Sequence, residues 1–170
     1  MNTNWYKTFI LGAGFLICSF LGSVQAQNEA PEWYTNLPVK KGYIYGAGTG
    51  NSANLSMAYD KSRMAAKTEL TKNYENKLET FALKCDTVLG SDNKVRQIIT
   101  TTITSQSATL TGVEEVEKVV VSSNGTNIVY LLVRMDVSDE VKKLEKEIQS
   151  DAKLKKKLGK AGLLKELSKL

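Results

Sequence analysis

Residues 43–70, YIYGAGTGNSANLSMAYDKSRMAAKTEL, set a strand signal directly beside a helix signal. Tyr43-Ile44-Tyr45-Gly46-Ala47-Gly48 is aromatic and β-branched, then punctuated by glycine, which reads as a short strand. From Ser52 the period changes. Ser52 or Asn54 can cap a helix start. Leu55, Ala58, Tyr59, Ser62, Ala65, Ala66, Glu69 and Leu70 follow at helical spacing, and Tyr74, Leu78, Phe81 and Ala82 carry the stripe to about Lys84. The small residues on that stripe predict a helix lying close against a sheet.

Downstream, residues 86–93 carry Gly90, Ser91, Asp92 and Asn93 and read as a loop. Val95 to Leu110 carries two signals at once. Its threonine run, ITTTITSQSATL, favours a strand. Val95, Ile98, Ile99, Thr102, Ile103, Gln106 and Leu110 nevertheless share a helical face, and a helix is the expectation. Val113 to Val121 alternates and is rich in valine, Asn124-Gly125 is a tight-turn pair, and Asn127 to Val137 (NIVYLLVRMDV) is a second apolar strand. Together they predict a β-hairpin. Ser138 or Asp139 then caps a last helix through Val141, Leu144 and Ile148. Gly159 and Gly162 interrupt the Leu-rich tail that follows.

Upstream, residues 28–41 contain both prolines and read as an extended lead-in, with Trp33, Tyr34 and Leu37 placed to cover an edge of the core. The first residues carry Lys7 and no acid. The apolar run FILGAGFLICSFLGSV fills residues 9–24, and Val24-Gln25-Ala26 ends it with short side chains. A charged start, an apolar middle and a small-x-small end make a secretory signal. Cleavage is expected after Ala26, leaving a mature chain from Gln27. A spanning helix needs about 20 apolar residues; this run has sixteen, with Gly12, Gly14 and Gly22 inside it. Cys18 follows bulky Ile17 rather than the small residue that lipidation needs, and is expected to leave with the signal.

The element order is strand, long helix, second helix, hairpin, terminal helix. The simplest two-layer solution is an α+β fold: a three-stranded antiparallel sheet, the long helix packed on one face, a shorter second helix and a C-terminal helical tail. The chain divides into a signal at 1–26, a lead-in at 27–42, an α+β domain at 43–137 and a Lys-rich helical extension at 138–170. That is one domain with an extension, not two.

Composition removes much chemistry. The chain has no histidine. The commonest general base and metal ligand is therefore absent. Past the signal the only cysteine is Cys85, so no intrachain disulfide can form. Residues 27–137 hold nine lysines and three arginines against twelve acids, whereas residues 138–170 hold ten lysines against six acids. A neutral body thus carries a basic tail.

Pro31-Glu32-Trp33, the glycine-rich strand end YIYGAGTG, the alanines of the helix (Ala58, Ala65, Ala66), Leu110-Thr111-Gly112-Val113 and the closing NIVYLLVRMDV form a pattern over about 31–137. This pattern resembles the twenty-kilodalton Lpp lipoprotein family, whose domain is similar to the N-terminal part of the flagellar assembly protein FlgT. The resemblance implies an envelope-located, non-catalytic α+β domain without a cofactor and brings no active-site residues. The chain departs from those lipoproteins in lacking a credible lipidation site.

Four places invite chemistry. Gly46-x-Gly48-x-Gly50 sits between strand and helix, where backbone N–H groups can cradle phosphate. It lacks the spacing of a dinucleotide fingerprint, and a glycine turn with positive φ and close helix approach is the expectation. Cys85 stands at the end of a helix whose dipole disfavours a thiolate there. Glu114, Glu115 and Glu117, like Glu145 and Glu147, can be drawn as acid/base pairs, with 115 and 117 on one strand face, but read as solvated faces. Asp86, Ser91, Asp92 and Asn93 do not follow a calcium loop.

The tail is a fifth. Leu154, Leu158, Ala161, Leu164 and Leu167 can form one stripe, with Lys155, Lys156, Lys157, Lys160 and Lys165 around it. These lysines are the candidate contacts for an anionic membrane surface or an envelope protein partner; the alternative is a helix folded against its own body. Nucleic acid is not expected, since no aromatics interleave with the lysines. The expectation is a periplasmic or secreted interaction or structural module, not an enzyme, with no cofactor and no metal. The rivals are a peripheral membrane protein held by the tail and a carboxylate-only enzyme.

Overall fold

A computed structural model describes residues 29–90, 92–107 and 112–170. The signal run, its cleavage point after Ala26, Ser91 and Leu110 lie outside the described residues. The elements are α1 (Glu32–Thr35), β1 (Tyr43–Ser52), α2 (Leu55–Leu89), α3 (Lys94–Ser107), β2 (Val113–Ser123), β3 (Thr126–Asp136), α4 (Ser138–Ser150), α5 (Ala152–Lys160) and α6 (Leu163–Leu167). The three strands form an antiparallel sheet in the order β1-β3-β2. The α+β class, the sheet and the long helix are as the sequence predicts.

β1 runs four residues further than its sequence signal, through the glycines to Ser52. Its partner dictates this: residues 43–52 pair without a break with residues 136–127 of β3. Gly46, Gly48 and Gly50 therefore fall on one face, the face that meets α2. A β-carbon at Gly48 would stand 2.1 Å from the backbone nitrogen of Ala66; at Gly46 and Gly50 it would stand 2.4 and 2.2 Å from the carbonyl oxygens of Ala66 and Ala58. The helix backbone touches the strand backbone. None of these three glycines has positive φ, so close approach, and not left-handed geometry, is what requires glycine here.

Asn54 caps α2, its side chain accepting from Met57 N–H at 3.2 Å. The helix then runs 35 residues, about 52 Å. Its buried positions Ala58, Ser62, Ala66, Leu70, Tyr74, Leu78 and Ala82 recur every fourth residue. Each step overshoots a full turn by about 40°, so the stripe winds round the helix. Ala58 to Leu70 face β1; further on, α2 packs against α3, α5 and α6.

α3 is helical despite its threonines because the hydroxyls are absorbed locally. Thr100, Thr101, Thr102 and Thr104 each donate to the carbonyl four residues back at 2.9–3.0 Å. Val95 and Ile99 face the core. In the hairpin, Asn124 and Gly125 take φ of 50° and 75°, the two-residue turn whose twist matches the strands. A bulge interrupts β2: Glu115 lies opposite Val133 but Glu117 opposite Leu132. Neighbours on β3 point to opposite faces, so Glu115 and Glu117 do too. This corrects the single shared face that strict alternation predicts.

The lead-in is not wholly extended. Pro31, at φ −62°, starts the helical turn α1, its carbonyl accepting from Tyr34 N–H at 2.9 Å. α1 lies against β1 and β3, where Tyr34 meets Tyr130 edge-on at 5.1 Å. That is the sheet face opposite α2, which also carries buried Leu132 and Tyr45.

Two glycines test the helix–strand contact. Gly48→Ala is expected to destabilise the protein by about 3 kcal/mol or more, because backbone on both sides must move apart. Gly159→Ala, inside α5 with its nearest neighbour 3.9 Å away, is expected to add about 0.5–1 kcal/mol. Urea unfolding midpoints measured on both variants check the opposite signs.

Candidate functional site

The C-terminal helices are built into the core. Val141, Leu144 and Ile148 of α4, Leu154 and Leu158 of α5, and Leu163 and Leu167 of α6 join the same hydrophobic cluster as Leu70, Phe81, Val95 and Leu131. Of the stripe predicted along the tail, Leu154, Leu158 and Leu167 are buried, Leu164 is half-buried and Ala161 is exposed. Gly162, at φ 75°, redirects the chain between α5 and α6.

Ion pairs fasten this segment. Asp151 caps α5, accepting from the Lys153 and Leu154 N–H groups at 2.9 and 3.1 Å. Its carboxylate also meets Lys94 Nζ at 3.0 Å, while Lys153 reaches Asp92 at 3.4 Å. Lys94, and then the backbone N–H groups, hold the Asp151 carboxyl below the usual range. Lys84 Nζ pairs with Glu166 at 2.7 Å, tying α6 to α2.

The tail lysines fall outside this web. Lys155, Lys156, Lys160 and Lys165 are exposed and Lys157 is half-buried. None of the five makes an ion pair among the described residues. The structure thus separates the tail into leucines that face inward and cations that face water.

The other sequence candidates are occupied or set apart. Glu114 pairs with Arg134 at 2.9 Å. Glu115 accepts from Tyr59 Oη at 2.5 and 2.7 Å and from Arg63 Nε at 3.1 Å. Glu145 accepts from Gln149 at 2.8 Å. Asp86 is taken by Arg96, with Nε at 3.0 Å, and Ser91 lies outside the described residues. Among the described residues no group of three or more acids and cysteines can hold a metal. No helix there is long and apolar enough to cross a membrane. Cys85 is fully buried, and burial, with Asp86 and Glu166 nearby, pushes its thiol up to about 12. A protonated, inaccessible thiol is no nucleophile at neutral pH.

One concavity was not read from the sequence. A groove of about 410 Å³ opens beside the start of β1, between the lead-in, the middle of α2 and the C-terminal residues. Leu37, Ile44, Phe81 and Leu170 give it apolar walls, and Lys77 and Thr80 line its α2 side. Asn73 Nδ2 donates to the Tyr45 carbonyl at 3.0 Å and closes that part of the strand edge. The signal that was present is the polar row Asn73, Asn76, Lys77 and Thr80 along one side of α2, next to its buried stripe. What closes the groove comes from both ends of the described chain, which periodicity along one element cannot join.

No family model, curated protein or solved structure matches this chain.

The buried acids give a measurable pH dependence. Burial, assisted by Glu140, also pushes the Tyr74 phenol up to about 12. The unfolded chain releases the Cys85 proton from an ordinary value of 9.0 and the Tyr74 proton from 10.0. Stability contributed by the two protonated groups is full below those values and is lost as pH rises toward 12. Cys85→Ala is expected to flatten the fall of the unfolding midpoint across that range. In the native protein the thiol should resist Ellman's reagent until denaturant is added.

Proposed function

We propose that the chain is an exported, non-enzymatic protein of the cell envelope, of the twenty-kilodalton Lpp lipoprotein type, that works by presenting a rigid cationic surface to anionic lipid. Support for export is the Lys7 start, the apolar run and Val24-Gln25-Ala26. Support for the envelope type is the pattern from Pro31 to Val137. Support for a non-catalytic role is the absence of histidine together with the buried, protonated Cys85.

The observation that carries the surface reading is the division of the tail. Its leucines are spent in the core, whereas Lys155, Lys156, Lys160 and Lys165 are exposed and unpaired among the described residues. A basic residue near an anionic leaflet contributes about 1 kcal/mol. An amphipathic helix would add the insertion of its apolar face. Here insertion would withdraw Leu154, Leu158, Leu163 and Leu167 from the core, so attachment is by charge alone and remains on the surface.

Vesicle sedimentation with the purified protein tests this. Binding is expected on phosphatidylglycerol vesicles and not on phosphatidylcholine, and should vanish at roughly 1 M salt, where the Debye length is about 3 Å. Reversing Lys155, Lys156, Lys160 and Lys165 to Glu should weaken it by about a hundredfold or more while the circular dichroism stays native. Deleting the tail is a poorer test, because it also removes core leucines. Equal binding to neutral vesicles, or undiminished binding by the reversed variant, refutes the lipid surface; capture of the protein only by an envelope protein would do the same.

Export is checked separately. The mass of the secreted product should correspond to an unmodified chain starting at Gln27; a lipid-modified chain starting at Cys18 would refute the cleavage site.

A further inference from the structure

The groove beside β1 has an apolar floor and a cationic lip. Ile44 and Phe81 lie at its base, 2% and 3% exposed, and the accessible apolar surface comes from Leu37, Val39 and Leu170. The lip is the outer side of α2, where Asn76 and Lys77, with Thr80 one turn further on, are all exposed. The two lysines that line the groove differ. Lys84 is neutralised by Glu166 at 2.7 Å. Lys77 makes no ion pair among the described residues, so the lip carries a positive charge without a counter-charge.

Thr80 differs from the other threonines of α2. Thr68, Thr71 and Thr87 each donate to a backbone carbonyl of the preceding turn, at 2.7–3.0 Å. Thr80 has no such partner among the described residues, which leaves its hydroxyl free at the groove. The volume of about 410 Å³ falls at the lower end of the range for small-molecule sites. An apolar floor with one uncompensated cation and one free hydroxyl at its rim is complementary to an anion carried on a hydrocarbon chain. A neutral apolar ligand would gain nothing from Lys77, which stays hydrated, and a polar anion would leave the apolar lining unfilled.

We propose that this groove binds a single-chain anionic amphiphile of the fatty-acid type, with its alkyl chain against Leu37, Val39 and Leu170, above Ile44 and Phe81, and its carboxylate at Lys77 and Thr80. The site is separate from the lysine surface, because Lys155, Lys156, Lys160 and Lys165 do not line it. Nor does it rest on export or on lipid attachment.

Calorimetric titration of the purified protein with laurate, kept below its micelle concentration, tests the assignment. One saturable site is expected. Lys77→Met should weaken it about tenfold or more, the scale of a charge-assisted hydrogen bond, and dodecanol should bind correspondingly less well than laurate. Thr80→Trp, which places a ring over the floor, should abolish binding while the circular dichroism stays native; Asn76→Trp serves the same purpose if Thr80→Trp does not fold. The amide signals that shift on titration should centre on Ile44 and Phe81. No saturable laurate binding, binding undiminished in a folded Trp variant, or dodecanol binding as tightly as laurate overturns the proposal.

Discussion

The contact between the backbone of α2 and the backbone of β1 sets the rest of the molecule. Gly46, Gly48 and Gly50 leave no side chain between them and Ala58, Ser62 and Ala66. A helix held at ordinary sheet distance would leave room for side chains on β1 and would sit more centrally over the sheet. Held this close, α2 packs chiefly on β1 and next on β3, and leaves β2 to one side. Val120 of β2, on the α2 side of the sheet, is accordingly 42% exposed. The space beside β2 is bridged by polar atoms instead: Tyr59 and Arg63 of α2 reach out to Glu115, and Lys118 lies 5.1 Å from the Tyr59 ring centre. This cluster is half-exposed and mutually satisfied, which makes it a strut between helix and hairpin rather than a reactive group.

The same helix explains the tail. A stripe repeating every fourth residue cannot stay on one side of a 35-residue helix. By Leu78 to Leu89 it has turned away from β1, and an apolar surface beyond the sheet must be covered. α3 covers the larger part, and α5 and α6 add to it. The leucines at 154, 158, 163 and 167 are therefore consumed by packing, and the lysines between them are left at the surface by elimination. The cationic surface follows from how α2 is wound, and its helices are held by the core and by the Asp92–Lys153, Lys94–Asp151 and Lys84–Glu166 pairs.

Most of the fold was legible because each element carries its own signal. The Asn124-Gly125 turn, the four-residue stripe of α2 and the capping Asn54 are local features, and each formed where the sequence placed it. The misses include three local ones, since α2 continues through residues 86–89, read as loop, to Leu89, α4 begins after Val137 without a side-chain cap from Ser138 or Asp139, and a helical turn follows Pro31; the others are non-local. The full length of β1 depends on its pairing with β3, since Thr49 to Ser52 have no strand signal of their own. The bulge that parts Glu115 from Glu117 depends on the register of two strands. The turn at Glu32–Thr35 comes from Pro31, which also reads correctly as extended lead-in. At the candidate site, the amphipathic pattern of the tail was visible, but a stripe of leucines looks the same whether lipid, a partner or its own core covers it. The groove was hidden for a related reason: Leu37, Phe81 and Leu170 are far apart in sequence and meet only through packing.

How the sheet edges are treated narrows where a partner can attach. A free strand edge invites another strand. On β1 the outward carbonyls of Tyr45 and Asn51 are already taken, by Asn73 Nδ2 at 3.0 Å and Lys61 Nζ at 3.1 Å. On β2 the outward edge follows from the hairpin. A two-residue turn makes Ser123 and Thr126 a hydrogen-bonded pair, so alternate residues Ser122, Val120 and Lys118 direct their backbone groups away from β3. Beyond Lys118 the bulge breaks that alternation, and Glu114, Glu115 and Glu117 crowd the edge with charge. The unbroken outward run is thus the five-residue stretch 118–122, in which three residues direct their backbone groups away from β3. α2 covers one sheet face, α1 lies against the other, and the acids beside the bulge together with the side-chain bonds to Tyr45 and Asn51 confine the open edge to short stretches of β1 and β2.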